Sequence, residues 1–534
     1  MREIKYTFNK KILTLALVGV IMVCSSCLIY LYNPLQLIVN KMSKIEPGNF
    51  LYGLWQAPPY APTLKFYIFN VTNPEQFLRG EEKLNLTQVG PYCYREHLTH
   101  ENASFNEEDG TITFNPLRKM TSYSECSIGN ASVDTLLVPN IPLIGIQSFL
   151  ADSSVITNIG FSTLSATLGA ESFINLTIHE YLWGYSDKLV SIANQFVPSW
   201  IDFGTFGIFE RLLSRDNGNN VTIALYPDRR KTRYPNILTQ NETLADYHII
   251  NWNGKQGLPE WGYDGSDEAI SSTKRCQLVE GAFDGTFYPR PMTKKSITLF
   301  RKAFCRPVSL QFVEEGYTKQ GFRSFNYKMP NNMFASPEEN KDNECFCFKG
   351  DCPGKGLQNI GPCYYDIPIV LSQPHFLNSP REIVESVNGM NPSDEKHSSI
   401  AKMQPELGIP LDESALRIQI NLGVRETKFN SKTRPFNGLT LPILWVELSC
   451  DSLPPLVDFL LRVVVDVVPI FQKVVVYLLG ILGLAFISGA ALLTLFFTKT
   501  TIPRSLSIAS EYSPIPLITI PAQYFKEKDF RISK

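Results

Sequence analysis

The sequence predicts an α+β protein in which a large strand-rich body is held between two membrane-spanning helices. Uncharged apolar stretches stand at Ile12–Tyr32 and Val474–Thr498, with residues 33–473 mostly polar-patterned between them. The 36 Pro and the scattered short β-branched runs read as strands separated by many turns. Within the body, Ile141, Leu143, Ile144, Ile146, Phe149 and Leu150, then Phe161, Leu164 and Leu168, follow spacings that are partly helical. A body of that length has room for a substantial core.

The chain opens with a short tail, 1–11, and a first span, 12–32. At about 1.5 Å rise per residue the two apolar runs reach roughly 30 Å and 37 Å, enough for the hydrocarbon core of a bilayer. Arg2, Lys5, Lys10 and Lys11 precede the first run against only Glu3, and Lys499 and Arg504 follow the second. Basic flanks stay in the cytosol, so both tails are expected there. A secretory signal is the rival for the first run. Its apolar part is too long for one, and Cys27-Leu28-Ile29-Tyr30-Leu31-Tyr32 offers no small-residue cleavage site.

Residues 33–473 are then expected outside the cell or in a lumen. Asn-X-Ser/Thr glycosylation signals occur at Asn70, Asn85, Asn102, Asn130, Asn175, Asn220 and Asn241, and in neither tail. Cys24 and Cys27 lie inside the first span and are expected to stay reduced as packing residues. The other nine cysteines face an oxidising compartment, where thiols pair. Zinc is the rival for Cys345, Cys347, Cys352 and Cys363, but repeated Cys-X-X-Cys ligand pairs are missing, which favours disulfides.

One pairing follows from geometry. Tyr92–Phe105 and Thr111–Ser124 read as a long hairpin, with a two-residue type I′ turn at Asp109-Gly110. That register places Phe105 opposite Phe114 and Cys93 opposite Cys126, so a Cys93–Cys126 disulfide is expected. Pro116 is the expected site of any bulge, because proline cannot donate to the ladder.

Several function classes are excluded. A net charge of -1 without a long basic run argues against nucleic acid. His179-Glu180-Tyr181-Leu182-Trp183 lacks the second His of a zinc-protease helix, and no Gly-X-Ser-X-Gly elbow or P-loop is found. Asp264, Asp267 and Glu268 lack the EF-hand pattern and read as a solvated turn. Catalysis, metal and cofactor are not expected.

Asn73-Pro74, Gly90-Pro91-Tyr92, Tyr94-Arg95-Glu96, Glu180 to Tyr185, Gly281 to Gly285 with Pro289, Cys305-Arg306, Cys345-Phe346-Cys347 with Cys352 and Cys363, Ser372 to Phe376, Pro405 to Gly408 and Gln419-Ile420-Asn421 occur in that order. In content and spacing they resemble the class B scavenger receptor family, which takes in the fatty-acid translocase, the lysosome integral membrane protein type two and the insect sensory neuron membrane proteins. The resemblance implies a large antiparallel β-barrel with a helical apex bundle, about 139–215 here, and a disulfide-rich part, 276–363. It implies bridges Cys276–Cys345, Cys305–Cys363 and Cys347–Cys352. Cys450 is left over, either for an intermolecular bond or as a buried free thiol.

Function follows the same resemblance: a plasma-membrane glycoprotein that binds fatty acids, sterols, other lipids or lipoproteins and passes lipid to the membrane through an apolar tunnel in the body. The alternative is an endolysosomal receptor that binds a protein cargo at the apex. The apex departs from the fatty-acid-translocase pattern. Between Lys119 and Lys188 there is no Lys or Arg, while Glu125, Asp134, Asp152, Glu171, Glu180 and Asp187 are present. The apolar apex residues are expected to pack inward more than to form a docking patch. His179 beside Glu180 is a candidate pH switch, against the plainer reading of an ordinary surface histidine. In the tail, 499–534, Tyr512-Ser513-Pro514-Ile515 fits a tyrosine-X-X-hydrophobic signal for an endocytic adaptor, with Tyr512 and Ile515 as its anchors. Ser513 stands where an acidic residue would make the nearby Leu517-Ile518 a lysosomal address.

Overall fold

The structure, a computed structural model, describes residues 2–42, 44–225, 246–263, 277–347, 352–426 and 429–500. The chain divides into two compact units, one formed by both chain ends (1–35 and 469–534) and one by residues 36–468.

In the first unit, the helices Arg2–Tyr32 and Val468–Thr500 are long and apolar enough to cross a membrane. They touch where side chains are smallest: a Cβ added to Gly19 would lie 2.7 Å from the Gly483 carbonyl oxygen. Nearby, Ser26 Oγ donates to the Val476 carbonyl at 2.7 Å. Small residues let two backbones approach in lipid, and the hydroxyl finds a partner there. Cys24 and Cys27 are free and exposed on the helix surface, not the packing residues expected. The second helix also begins earlier than the apolar run at Val474, since Pro455–Arg462 and a π-turn at Val463–Val467 lead into it without interruption.

The second unit is built on sixteen strands among the described residues: β1 Thr63–Val71, β2 Leu86–Asn106, β3 Thr111–Ser122, β4 Thr135–Pro139, β5 Phe173–Thr177, β6 Val221–Ala224, β7 Ile249–Trp252, β8 Ile297–Arg301, β9 Arg306–Tyr317, β10 Arg323–Lys328, β11 Gln358–Asn359, β12 Ile369–Ser372, β13 Ile400–Gln404, β14 Ile409–Pro410, β15 Ala415–Gly423 and β16 Thr440–Ser449. Fourteen form one sheet of order β7-β6-β3-β2-β1-β16-β15-β13-β10-β9-β8, with β11, β12 and β14 attached and β4–β5 separate. Every described ladder is antiparallel.

The barrel expected from the resemblance is not closed by a ladder among the described residues, where β7 and β8 end the strand order. A short irregular segment bridges those ends. Gly281 N donates to Ile249 O of β7 at 2.9 Å, and Phe283 N donates to Thr298 O of β8 at 2.8 Å. This segment satisfies edge groups that would otherwise face solvent unpaired.

Pleat and register explain the interior. Across β1, β16 and β15 the rows Leu64–Leu448–Leu416, Phe66–Val446–Ile418 and Ile68–Leu444–Ile420 lie on one face. The alternate rows, Lys65–Glu447–Arg417 and Tyr67–Trp445–Gln419, lie on the other. There Glu447 accepts from Lys65 at 3.0 Å and Arg417 at 2.6 Å, and Tyr67 stacks on Trp445 at 3.9 Å.

The β2–β3 hairpin exists in a different register from that expected. Phe105 pairs with Ile112, not Phe114, and Pro116 sits in register opposite His100. The bulge falls between Glu101 and Ser104, where Asn102 takes the left-handed conformation (φ 53). The turn spans 107–110: Asn106 Oδ1 accepts from the Glu108 and Asp109 amides at 3.1 and 3.2 Å, and Gly110 supplies the positive φ. An Asn side chain closing the loop outcompetes the two-residue turn.

Candidate functional site

The candidate site is an apolar cavity of about 50 Å³ in the core of the second unit. Leu64 comes from β1, Leu416, Ile418 and Ile420 from β15, and Val446 and Leu448 from β16, the apolar rows described above. Helix Ile208–Asp216 covers them, since Phe209, Leu212 and Asp216 recur on its inward face. Phe209 meets Phe66 edge-on at 4.7 Å. The cavity holds a few waters by volume, yet its lining is almost wholly apolar, and such cavities stay dry.

Its polar corner is a neutral charge cluster. Asp216 ends its helix, where the dipole disfavours a carboxylate, and it is almost fully buried. What holds it is Arg301, whose Nη2 and Nε donate to Oδ2 at 2.7 and 3.0 Å, together with the Ala303 amide at 2.8 Å on Oδ1. Arg301 also reaches Glu96 at 3.0 Å, and Arg118 reaches the same Glu96 at 2.8 Å. Two acids and two guanidiniums thus share one buried network. Burial alone pulls Arg301 down, but Glu96 and Asp216 outweigh it and hold its pKa above the ordinary value. For Arg118 burial, reinforced by Arg301, wins and lowers it. Nothing local in the sequence announces this cluster, because Glu96 and Arg301 are 205 residues apart.

The expected site residues fall elsewhere. Cys93–Cys126, Cys305–Cys363 and Cys347–Cys352 are disulfides with Cα separations of 5.7, 5.9 and 4.2 Å. Cys126 lies beyond the end of β3, so its bond forms from a turn and not across the ladder. Cys276, expected to join Cys345, lies outside the described residues, as do Asn241, Asp264, Asp267, Glu268, Tyr512 and Ile515. Cys450 is a buried free thiol, pushed up to about 12 by burial. Asn102, Asn130, Asn175 and Asn220 are exposed, while Asn70 and Asn85 are half-buried.

Helices Ile141–Phe149, Val155–Thr167, Ile178–Trp183 and Lys188–Phe196, with Ile208–Asp216, occupy the region expected to be helical. Ile141, Leu143, Ile144 and Ile146 are buried, Phe149, Leu150, Phe161 and Leu168 half-buried, and Leu164 exposed. Helix Val155–Thr167 is turned the other way: polar Asn158 and Ser165 point in, and Val155, Ile156 and Ile159 point out. A buried network fixes that orientation, with Gln147 donating to Asn158 at 2.9 Å and Asn430 donating to Gln147 at 3.2 Å. The acidic residues are largely engaged. Asp152 pairs with Arg425, Glu171 with Lys432 at 2.6 Å, and Asp187 caps its helix. His179 is exposed, and the Glu180 carboxylate is taken by the Thr177 amide and hydroxyl at 2.9 and 2.8 Å. Those Thr177 bonds lower the Glu180 pKa more than His179 does.

The profile of the CD36 family matches residues 16–494. The chain is 29% identical over 449 residues to "Scavenger receptor class B member 1" of Cricetulus griseus, spanning 84% of this chain and 82% of that one. It is 28% identical over 413 residues to the protein of the same name from Bos taurus, at 77% and 75% coverage. It is 30% identical over 413 residues to "Lysosome membrane protein 2" of Mus musculus, at 77% and 79%.

Proposed function

The chain belongs to the CD36 family, and on that footing we propose that it is a two-span receptor, not an enzyme, that takes up lipids or lipoproteins and delivers lipid to the bilayer through the interior of its body. In this reading both tails lie in the cytosol and residues 33–473 outside it, with glycans on the exposed sequons. The observation that carries the reading is the apolar cavity between the β1–β16–β15 rows and helix Ile208–Asp216. A lipid's apolar surface is costly to hydrate, and an apolar interior lowers that cost without covalent chemistry.

At about 50 Å³ the cavity is far below the roughly 300–1,000 Å³ of ligand pockets, so passage requires the helix to move off the sheet. Mass spectrometry of lipids extracted from the purified body tests the reading. Co-purifying lipid, depleted by Leu416→Trp, is the expected result; empty protein overturns it. The alternative, an endolysosomal receptor for a protein cargo, draws on the likeness to a lysosome membrane protein at a level equal to the scavenger receptors. Steady-state location, and the effect of Tyr512→Ala on surface abundance, separate the two.

A further inference from the structure

The segments next to the two spans carry apolar faces that the folded body leaves uncovered. Helix Pro34–Met42 begins two residues after Tyr32, and its Leu37, Ile38 and Met42 are 58, 52 and 56% exposed. Ile38 and Met42, four apart, share one face of the helix, and Leu37 borders it.

Helix Pro455–Arg462 has three distinct sides. One buries Leu461 in a small cluster with Phe322, Leu411 and Cys450. A second carries Asp458 and Arg462, paired at 3.0 Å, and is continued by Asp466. The third leaves Leu456 and Phe459 at 52 and 62% exposed. Further along the chain Val463 is half-buried, and Val467 and Ile470 are 54 and 61% exposed.

Length makes the same point. The apolar helical stretch Pro455–Phe497 has 43 residues. That is about 65 Å of helix, whereas about 20 residues suffice to cross the hydrocarbon. Its first turns, apolar on one side and charged on another, have the make-up of an interfacial helix.

We propose that these two faces are seated in the interface of the bilayer that the spans cross. Leu37, Ile38, Met42, Leu456 and Phe459 lie at the boundary of headgroups and acyl chains, and exposed Lys41 lies among the phosphates. The partner is phospholipid, and the seating fixes how the body stands on its membrane independently of what the cavity carries.

The wild-type full chain, one copy per phosphatidylcholine nanodisc, is irradiated with a trace of phosphatidylcholine bearing a diazirine high on its acyl chain, and adducts are mapped by peptide mass spectrometry. Adducts are expected on 34–42 and 455–462 as well as in the spans, and not on Val155–Thr167. That helix is the control, because Ile156 is 84% exposed but distant in the chain from either span. Adducts confined to the spans overturn the proposal, including the case in which a second copy covers the faces. Equal labelling of Val155–Thr167 overturns it too.

Discussion

Asp216→Asn removes one charge from the buried cluster while keeping the side chain's shape and an acceptor for the Ala303 amide. Glu96, Arg118 and Arg301 are then left with a net positive charge in the core, and Arg301 loses the partner that receives two of its N–H groups. Removing one member of a buried ion pair costs about 3–5 kcal/mol. The body of roughly 430 residues, melting as one unit, has an unfolding entropy near 0.9 kcal/mol per kelvin, so the melting temperature should fall by about 3–5 °C. Arg301→Met alone should do similar damage by stranding Asp216. The double variant should recover much of the loss, because what remains is Glu96 with Arg118, a neutral pair at 2.8 Å. A thermal or denaturant double-mutant cycle reads the coupling directly. Single variants that melt within a degree of the wild type, or a double variant that loses the full sum of the two, would refute the cluster as a charge-balanced unit.

Acid should weaken the body. Burial lowers His100, His375 and His397 to about 4 each, with neighbouring His397 adding to the effect at His375 and Arg417 at His397. Since the unfolded chain then takes up protons first, the histidines' contribution to stability is full above about pH 6.5, falls between 6.5 and 4, and changes no further below that. His100, 1% exposed, accounts for ~2 kcal/mol of that loss at pH 5; an unchanged melting temperature between pH 7 and 5 would contradict this. Cys93→Ser opens a bond with a sequence separation of 33 and should cost ~4 kcal/mol in the chain-entropy account, checked by melting alongside non-reducing peptide mapping. Gly19→Leu should push the spans apart at Gly483, lowering energy transfer between probes on the two tails; undiminished transfer would show that the spans do not meet there.

What could be read in the sequence was whatever depends on neighbours along the chain or on gross composition. The spans are legible because hydrocarbon demands a long uncharged run, whereas the helical region rested on the family resemblance, its apolar residues following helical spacing only in part. The β2–β3 hairpin was legible as a hairpin. Its register was not, because the Asn106 side chain, the Asn102 bulge and the β6 strand added alongside β3 are matters of three-dimensional competition. The inverted packing of Val155–Thr167 was also hidden: buried Asn158 and Ser165 become favourable only when Gln147 and Asn430 arrive to satisfy them.

By itself the chain determined its two long apolar helices, the Cys93–Cys126 pair and a strand-rich body, since each follows from solvation and bonding between near neighbours, while the pairs Cys305–Cys363 and Cys347–Cys352 were implied only by the family resemblance. Only the tertiary structure decided where helix Ile208–Asp216 covers the apolar rows of the sheet and leaves a cavity. It also placed Glu96, Arg118, Asp216 and Arg301 in one neutral cluster and left the faces of Pro34–Met42 and Pro455–Arg462 uncovered. Those outcomes depend on contacts between residues tens to hundreds of positions apart, whose energies exist only once the chain has closed upon itself.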